Sequence, residues 1–97
     1  MKFLAVIVSG GSTNNLIQVL TVLMAAVHSE IKSRVLFRDE SLFRLRPSTI
    51  NRLQFSAGYG GDEQALQQRL KKLDLLDLQK LCRDIKASGD VKYYVCS

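Results

Sequence analysis

The sequence predicts an α/β domain with a mainly parallel sheet. An apolar run at residues 3–8 leads through glycines into an apolar helix, a second β-prone run lies at 34–37, and a third, at 91–95, follows a helical pattern. Strands that alternate with helices are typical of parallel sheets. A chain of 97 residues favours a single domain, residues 1–97, that buries one core.

The first element is predicted to be a strand from Phe3 to Val8. Its six consecutive apolar residues are typical of a strand buried on both faces, so we expect a central strand of the sheet. Ser12 to Asn15 offer N-cap side chains, and the apolar residues after them predict a helix from Asn15 to Ser29. These apolar residues lie on more than one stripe, which either the domain itself or a second subunit could cover.

The next strand is predicted at Arg34 to Phe37, parallel to the first across a right-handed crossover. From Arg38 to Gly61 the pattern weakens. Short apolar clusters on either side of Pro47 suggest single helical turns, and Gly58 to Gly61 suggest a mobile loop. This region leaves the carboxyl end of the second strand, so we expect it beside the loop that follows the first strand.

Two further helices are predicted before the last strand. Asp62-Glu63 places negative charge at the start of the first of them, which the helix dipole favours. Either Asp74 or Asp77 can cap the second, and Ser88-Gly89 is a typical helix end. The apolar run at 91–95 then predicts the last strand.

Composition and charge disfavour several classes of function. The net charge of +5 favours acidic partners, but the fourteen basic residues are spread along the chain and patterns typical of nucleic-acid-binding proteins are absent. Two cysteines and one histidine form no zinc pattern, so we expect no metal site. The apolar stretches are too short for a signal peptide or for the ~20 residues that span a bilayer. We therefore expect a cytoplasmic protein with reduced thiols and no membrane partner.

The loop after the first strand is a candidate binding site, because backbone amides at a helix N-terminus can bind an anion. The candidate ligand-binding residues are Ser9, Gly10, Gly11 and Ser12. They lack the GxGxxG spacing of dinucleotide sites and the Gly-Lys-Ser/Thr ending of a P-loop, and we expect no cofactor. A structural interpretation also stays open, in which the glycines permit a tight turn and the hydroxyls cap the helix.

Arginines in the middle region are candidates for partner binding. Arg44 and Arg46 could contact an anionic or sulfur-bearing protein partner. Solvated charges on a mobile segment are the alternative interpretation.

A thiol at the end of the last strand is the candidate for chemistry. Cys96 directly follows the run at 91–95, and open α/β sheets bind their ligands at the carboxyl ends of their strands. A helix after this cysteine would favour the reactive thiolate through its dipole, but the chain ends at Ser97. Cys82 instead belongs to the apolar stripe of a helix, and we expect it to be a core residue.

This order of elements resembles the DsrE/DsrF-like family, small α/β proteins of sulfur relay and sulfur oxidation. The resemblance covers most of the chain and rests on the strand and turn at Phe3 to Gly11, the apolar helix behind them, and the stretch from Asp74 to Cys96. It implies a three-layer α/β/α domain without the usual C-terminal elements. It also implies a sulfur carrier or sulfurtransferase with Cys96 as the nucleophile that carries a persulfide.

The resemblance further implies a sulfur donor or acceptor protein as partner, and a homo-oligomer. Family members usually continue past the cysteine with a helix, a strand and another helix. The chain would then be either a shortened member, with Cys96 supported by another subunit, or a degenerate one that keeps the fold as a scaffold. The alternative function is accordingly a non-catalytic interaction module that acts through residues 38–61, so whether the protein is an enzyme stays open.

Overall fold

The computed structural model describes residues 2–96, with residues 59 and 60 described by their backbone alone. In chain order the elements are β1 (Phe3–Val8), α1 (Thr13–His28), β2 (Lys32–Phe37), α2 (Glu40–Arg44), a 3-10 helix (Ala57–Asp62), α3 (Glu63–Lys72), α4 (Leu78–Ser88) and β3 (Val91–Val95). The strands form one parallel sheet. The predicted α/β class with a parallel sheet is confirmed.

The strand order is β1-β2-β3, so β2 is the central strand of the described sheet. The prediction that β1 is central and buried on both faces is wrong. Burial alternates along β1, and Phe3 and Ile7 are 61% and 64% exposed. Only one face of β1 therefore packs against helices. Consecutive strands pair with each other, and this order leaves β1 at an edge of the sheet.

Helices α1 and α4 cover one face of the sheet. Right-handed crossovers that proceed in the same direction across a sheet place their helices on the same side. Within residues 2–96 no second helical layer covers the opposite face, where Tyr94 is exposed together with Phe3 and Ile7. The described part of the domain, residues 2–96, therefore consists of the sheet and this one helical layer, and the second helical layer of the expected three-layer arrangement is not among these residues.

The core lies between the sheet and its helical layer. Val35 on β2, Leu20 and Leu23 on α1 and Leu78 on α4 are almost completely buried there. Burial of each such side chain stabilises the fold by roughly 1.5–3 kcal/mol. None of the helices within the described residues is long and apolar enough to cross a membrane.

The first helix begins two residues earlier than predicted, at Thr13. Ser12 is its N-cap, and the Ser12 hydroxyl accepts a 3.2 Å hydrogen bond from the backbone N–H of Asn15. This side-chain bond satisfies one of the free amides of the first turn, so the helix forms from Thr13 onward.

Two predictions for the second half of the chain had different outcomes. Of the two candidate caps, Asp77 caps α4, because its Oδ1 accepts a 3.1 Å hydrogen bond from the backbone N–H of Lys80. The mobile loop predicted at Gly58 to Gly61 is instead part of the 3-10 helix Ala57–Asp62, which leads directly into α3.

Candidate functional site

The carboxyl ends of the three parallel strands meet at one edge of the sheet. At this edge the backbone N–H of Arg38 donates to the carbonyl of Val8 at 2.9 Å. The backbone N–H of Cys96 donates to the carbonyl of Phe37, also at 2.9 Å. These bonds continue the register by one residue, so Ser9, Arg38 and Cys96 form one row. We call these three residues the edge row.

The edge row faces the side of the sheet that the helices do not cover. Its members each lie two residues beyond a residue of the last full row on that face, namely Ile7, Leu36 and Tyr94. Those three residues are register partners across the sheet. Ile7 and Tyr94 are both exposed. The alternation of a strand therefore puts the edge row on this open face.

The two thiols differ in their access to solvent. Cys96 is exposed, whereas Cys82 on α4 is partly buried against the core, as predicted. Burial raises the pKa of the Cys82 thiol to about 11. Cys82 therefore stays a neutral thiol at physiological pH, and Cys96 is the accessible thiol of the described chain.

The side chain of Arg38 is held by Ser9, the residue that follows β1. Arg38 Nε donates a 3.0 Å hydrogen bond to Ser9 Oγ and lies 3.5 Å from Asp39 Oδ2. Ser9 thus orients Arg38.

A cleft of about 540 Å³ lies between the loop after β1 and the chain segment that follows β2. Gly10, Gly11 and Ser12 form one wall, and α2 with residues 49–56 forms the other. Three of the four predicted ligand-binding residues therefore share this cleft. Ser9 does not line it and contacts Arg38 instead.

The glycine at position 11 permits the close approach of α2 to the loop. A Cβ atom at Gly11 would lie 3.1 Å from the carbonyl oxygen of Glu40 and 3.3 Å from Arg44 Cγ. Both distances are tighter than ordinary van der Waals contact. A larger residue would push α2 outward and widen the cleft.

Thr13, which is 1% exposed, is bonded to residues that line the cleft. Its backbone N–H donates to the Gln54 carbonyl at 2.7 Å, and its hydroxyl accepts from the Gln54 N–H at 2.8 Å. The same hydroxyl donates to the Arg52 carbonyl at 3.2 Å. These bonds fasten residues 52–54 to the first turn of α1, and the segment after β2 lies beside the loop after β1, as predicted.

Arg44 lies inside the domain, with only 4% of its surface exposed. Its Nη2 donates to Thr13 Oγ1 at 2.6 Å and its Nη1 to the Thr49 carbonyl at 3.1 Å. Its Nε is buried without a hydrogen-bond partner. Burial, and then the charge of Arg52, lower the Arg44 pKa.

The location of Arg44 corrects its predicted role in partner binding. A buried side chain cannot contact a protein partner directly, whereas Arg46 is exposed and can. The Arg46 guanidinium lies 5.5 Å from the centre of the Phe43 ring. Of the two arginines predicted to bind a partner, only Arg46 is on the surface.

Comparison with protein-family models and with curated proteins gives no match to this chain. The resemblance to sulfur-relay proteins stays a prediction. Within residues 2–96 no group of three or more His, Cys, Asp or Glu side chains is placed to hold a metal ion.

Sequence reasoning missed Thr49 in the wall of the cleft and the bonding role of Thr13 beside it. Thr13 stood in the run of cap-forming residues before α1, and its hydroxyl bonds chain segments that are distant in sequence. The polar side chains spaced through residues 44–56 were the available signal. They suggested a partner surface because the sequence does not show which of them point inward.

Proposed function

We propose that the protein is a sulfur carrier or sulfurtransferase in which Cys96 accepts sulfur as a persulfide. The observation that supports it best is the exposure of Cys96 at the carboxyl edge of the sheet, in one row with the cation of Arg38. This edge is where open parallel sheets act on their ligands. The resemblance to the DsrE/DsrF-like family suggests the reaction, because the family's cysteine at the position of Cys96 carries sulfur as a persulfide.

The transfer is an exchange between sulfur atoms. The Cys96 thiolate attacks the outer, sulfane sulfur of a donor persulfide, and the sulfur–sulfur bond of the donor breaks. The donor leaves as a thiolate with the bonding electron pair, and Cys96 becomes the persulfide. An acceptor thiolate then attacks the same outer sulfur and regenerates the Cys96 thiolate. Both steps conserve electrons, so no further oxidant or reductant is required.

Arg38 has a supporting role in this proposal. The hydrogen bond to Ser9 keeps the Arg38 guanidinium at the carboxyl edge, where it attracts an anionic sulfur donor such as glutathione persulfide. Because Arg38 is exposed, solvent screens this effect. We expect it to change the rate of sulfur loading rather than to abolish it.

The test is mass spectrometry of the intact protein after incubation with glutathione persulfide. We expect one added sulfur atom in the wild type and in Cys82→Ser, and none in Cys96→Ser. Arg38→Gln should load more slowly, whereas Arg69→Gln, on α3 and outside the edge row, should load at the wild-type rate. Loading that survives Cys96→Ser would contradict the proposal.

The proposed function includes a donor or acceptor protein, a cytoplasmic location with reduced thiols, and assembly of copies of the chain. Support for assembly comes from the open face of the sheet, which exposes Phe3, Ile7 and Tyr94. Parallel sheets are normally covered on both faces. A second subunit on this face would also approach the edge row.

The second candidate is a non-catalytic interaction module that acts through residues 38–61. Its support is the exposed pair of Arg46 and Phe43, the latter 65% exposed. It predicts that partner binding is lost in Arg46→Ala and retained in Cys96→Ser. The opposite pattern would favour the sulfur carrier.

A further inference from the structure

The cleft between the β1 loop and α2 contains more positive than negative charge. Arg44 is buried in its wall, and no carboxylate within residues 2–96 forms an ion pair with it. Arg52 adds a second cation to the lining, and Glu40 is the acidic side chain in the lining. A buried cation without a counter-ion is costly, and a bound anion would offset that cost.

From this imbalance we propose that the cleft binds a small organic phosphate, with the phosphate group at the N-terminus of α1. This binding site is independent of sulfur transfer at Cys96. Its head-group pocket consists of the backbone of Gly10 and Gly11 together with Arg44 and Arg52.

The loop supplies hydrogen-bond donors for the phosphate. No acceptor among the described residues takes the backbone N–H of Gly10 or Gly11, although both line the cleft. They precede α1, whose sixteen residues give a helix dipole with about half a positive charge at this end. Amides and dipole together are the usual basis of phosphate binding at helix N-termini.

The buried guanidinium points to the same ligand. Two Arg44 nitrogens bind Thr13 and the Thr49 carbonyl, but Nε has no acceptor in the described structure. The two arginines outnumber Glu40 by one charge, and the helix end adds about half a charge. A phosphate monoester carries about −1.5 to −2 charges at pH 7, which matches this excess better than a single carboxylate does.

The size and apolar wall of the cleft indicate that the ligand is larger than phosphate alone. Its volume of about 540 Å³ lies within the roughly 300–1,000 Å³ typical of small-molecule pockets. The Phe43 ring forms part of the wall and is 65% exposed. Arg46 stacks over this ring at 5.5 Å. An aromatic or other apolar body would pack against Phe43 while the phosphate occupies the loop.

The experiment is an NMR titration of the full chain with phenyl phosphate and, separately, with inorganic phosphate. We expect the amide signals of Gly10, Gly11 and Ser12 to shift with both, and phenyl phosphate to bind about tenfold more tightly because only it contacts Phe43. Phe43→Ala should remove this tenfold preference without changing the affinity for inorganic phosphate.

The charge contribution is tested with a matched pair of arginine variants. The Arg52 side chain makes no hydrogen bond within the described structure, so Arg52→Gln should leave the fold intact and weaken both ligands about tenfold. Arg69→Gln, exposed on α3 away from the cleft, should not weaken either.

Three results would overturn the phosphate site: unshifted Gly10 to Ser12 amides in phenyl phosphate, an unchanged affinity in Arg52→Gln, or equal losses in Arg52→Gln and Arg69→Gln. Equal affinities for phenyl phosphate and inorganic phosphate would contradict the inference that the ligand has an apolar body packed against Phe43. Cys96→Ser should bind phenyl phosphate normally, which separates this site from sulfur transfer.

Discussion

The hydroxyl of Thr13 accepts a 2.6 Å hydrogen bond from Nη2 of Arg44 and a 2.8 Å hydrogen bond from the backbone N–H of Gln54. It also donates to the carbonyl of Arg52. Three segments that are separate in sequence, the first turn of α1, the end of α2 and residues 52–54, therefore meet at one buried oxygen atom.

Thr13→Val removes this oxygen at nearly constant side-chain volume. Because one buried and two part-buried hydrogen bonds are lost, we expect the free energy of unfolding to fall by about 2–4 kcal/mol. Urea denaturation measures the loss. Thr21→Val is the matched control on the same helix. The Thr21 hydroxyl donates only to the Ile17 carbonyl and is exposed, so the change should stay within about 0.5 kcal/mol. Equal losses in the two variants would contradict the role of Thr13.

The turn between β2 and α2 is strained at Asp39, whose backbone has φ 56° and ψ −133°. Non-glycine residues rarely adopt this conformation, and the strain costs of order 1–3 kcal/mol. We expect Asp39→Gly to raise the midpoint of thermal unfolding and Asp39→Ala not to raise it. Calorimetry compares the two. An equal effect of both substitutions would point to the lost carboxylate rather than to the backbone.

Asp90, next to β3, should make stability depend on acidic pH. A hydrogen bond from Arg34 at 2.9 Å, together with the charges of Arg34 and Lys32, holds the Asp90 pKa below its ordinary value. A carboxyl with a lowered folded-state pKa stabilises the fold above its unfolded-state pKa, and this stabilisation is lost as pH falls through the folded-state pKa. The loss should therefore occur below about pH 4.

Arg34→Gln should return the Asp90 pKa toward its ordinary value and remove this part of the acid dependence. An NMR titration of the Asp90 carboxyl carbon follows the pKa directly. Lys72→Gln, far from Asp90 in sequence and on α3, serves as a control of similar charge. If Arg34→Gln left the Asp90 pKa unchanged, the hydrogen bond would not be its cause.

The open face of the sheet should control association of the chain with itself. Ile7 is 64% exposed on this face, so Ile7→Lys places a charge where an apolar contact would form. We expect sedimentation experiments to show weaker association for Ile7→Lys. Leu73→Lys changes a residue of equal exposure, 65%, that lies after α3 and outside this face. A parallel decrease in both variants would indicate a general charge effect.

The parallel sheet and the helices were predictable because apolar runs, caps and glycines mark them locally. The position of β1 was not, because every residue from Phe3 to Val8 is apolar. Inward-facing Val6 and outward-facing Ile7 therefore cannot be told apart by polarity. Which side of a strand is covered depends on where the crossover helices pack, a tertiary property.

The candidate site was predictable only in part. The loop from Gly10 to Ser12 and the strand-terminal Cys96 could be found because parallel sheets place ligands at the carboxyl ends of strands. The burial of Arg44 could not be predicted, since its partners are the hydroxyl of Thr13 and the carbonyl of Thr49. The bond to Thr13 forms only once α2 folds against α1.

The central position of β2 has a consequence for the order in which the domain assembles. Its pairing with β1 closes only the short connection through α1, whereas its pairing with β3 must bring together segments separated by residues 38–90. Shorter loops close at lower entropic cost, so β1, α1 and β2 should form an early folding unit onto which β3 docks last. Amide hydrogens of β2 should then exchange most slowly, and β3, the strand that leads to Cys96, should open first.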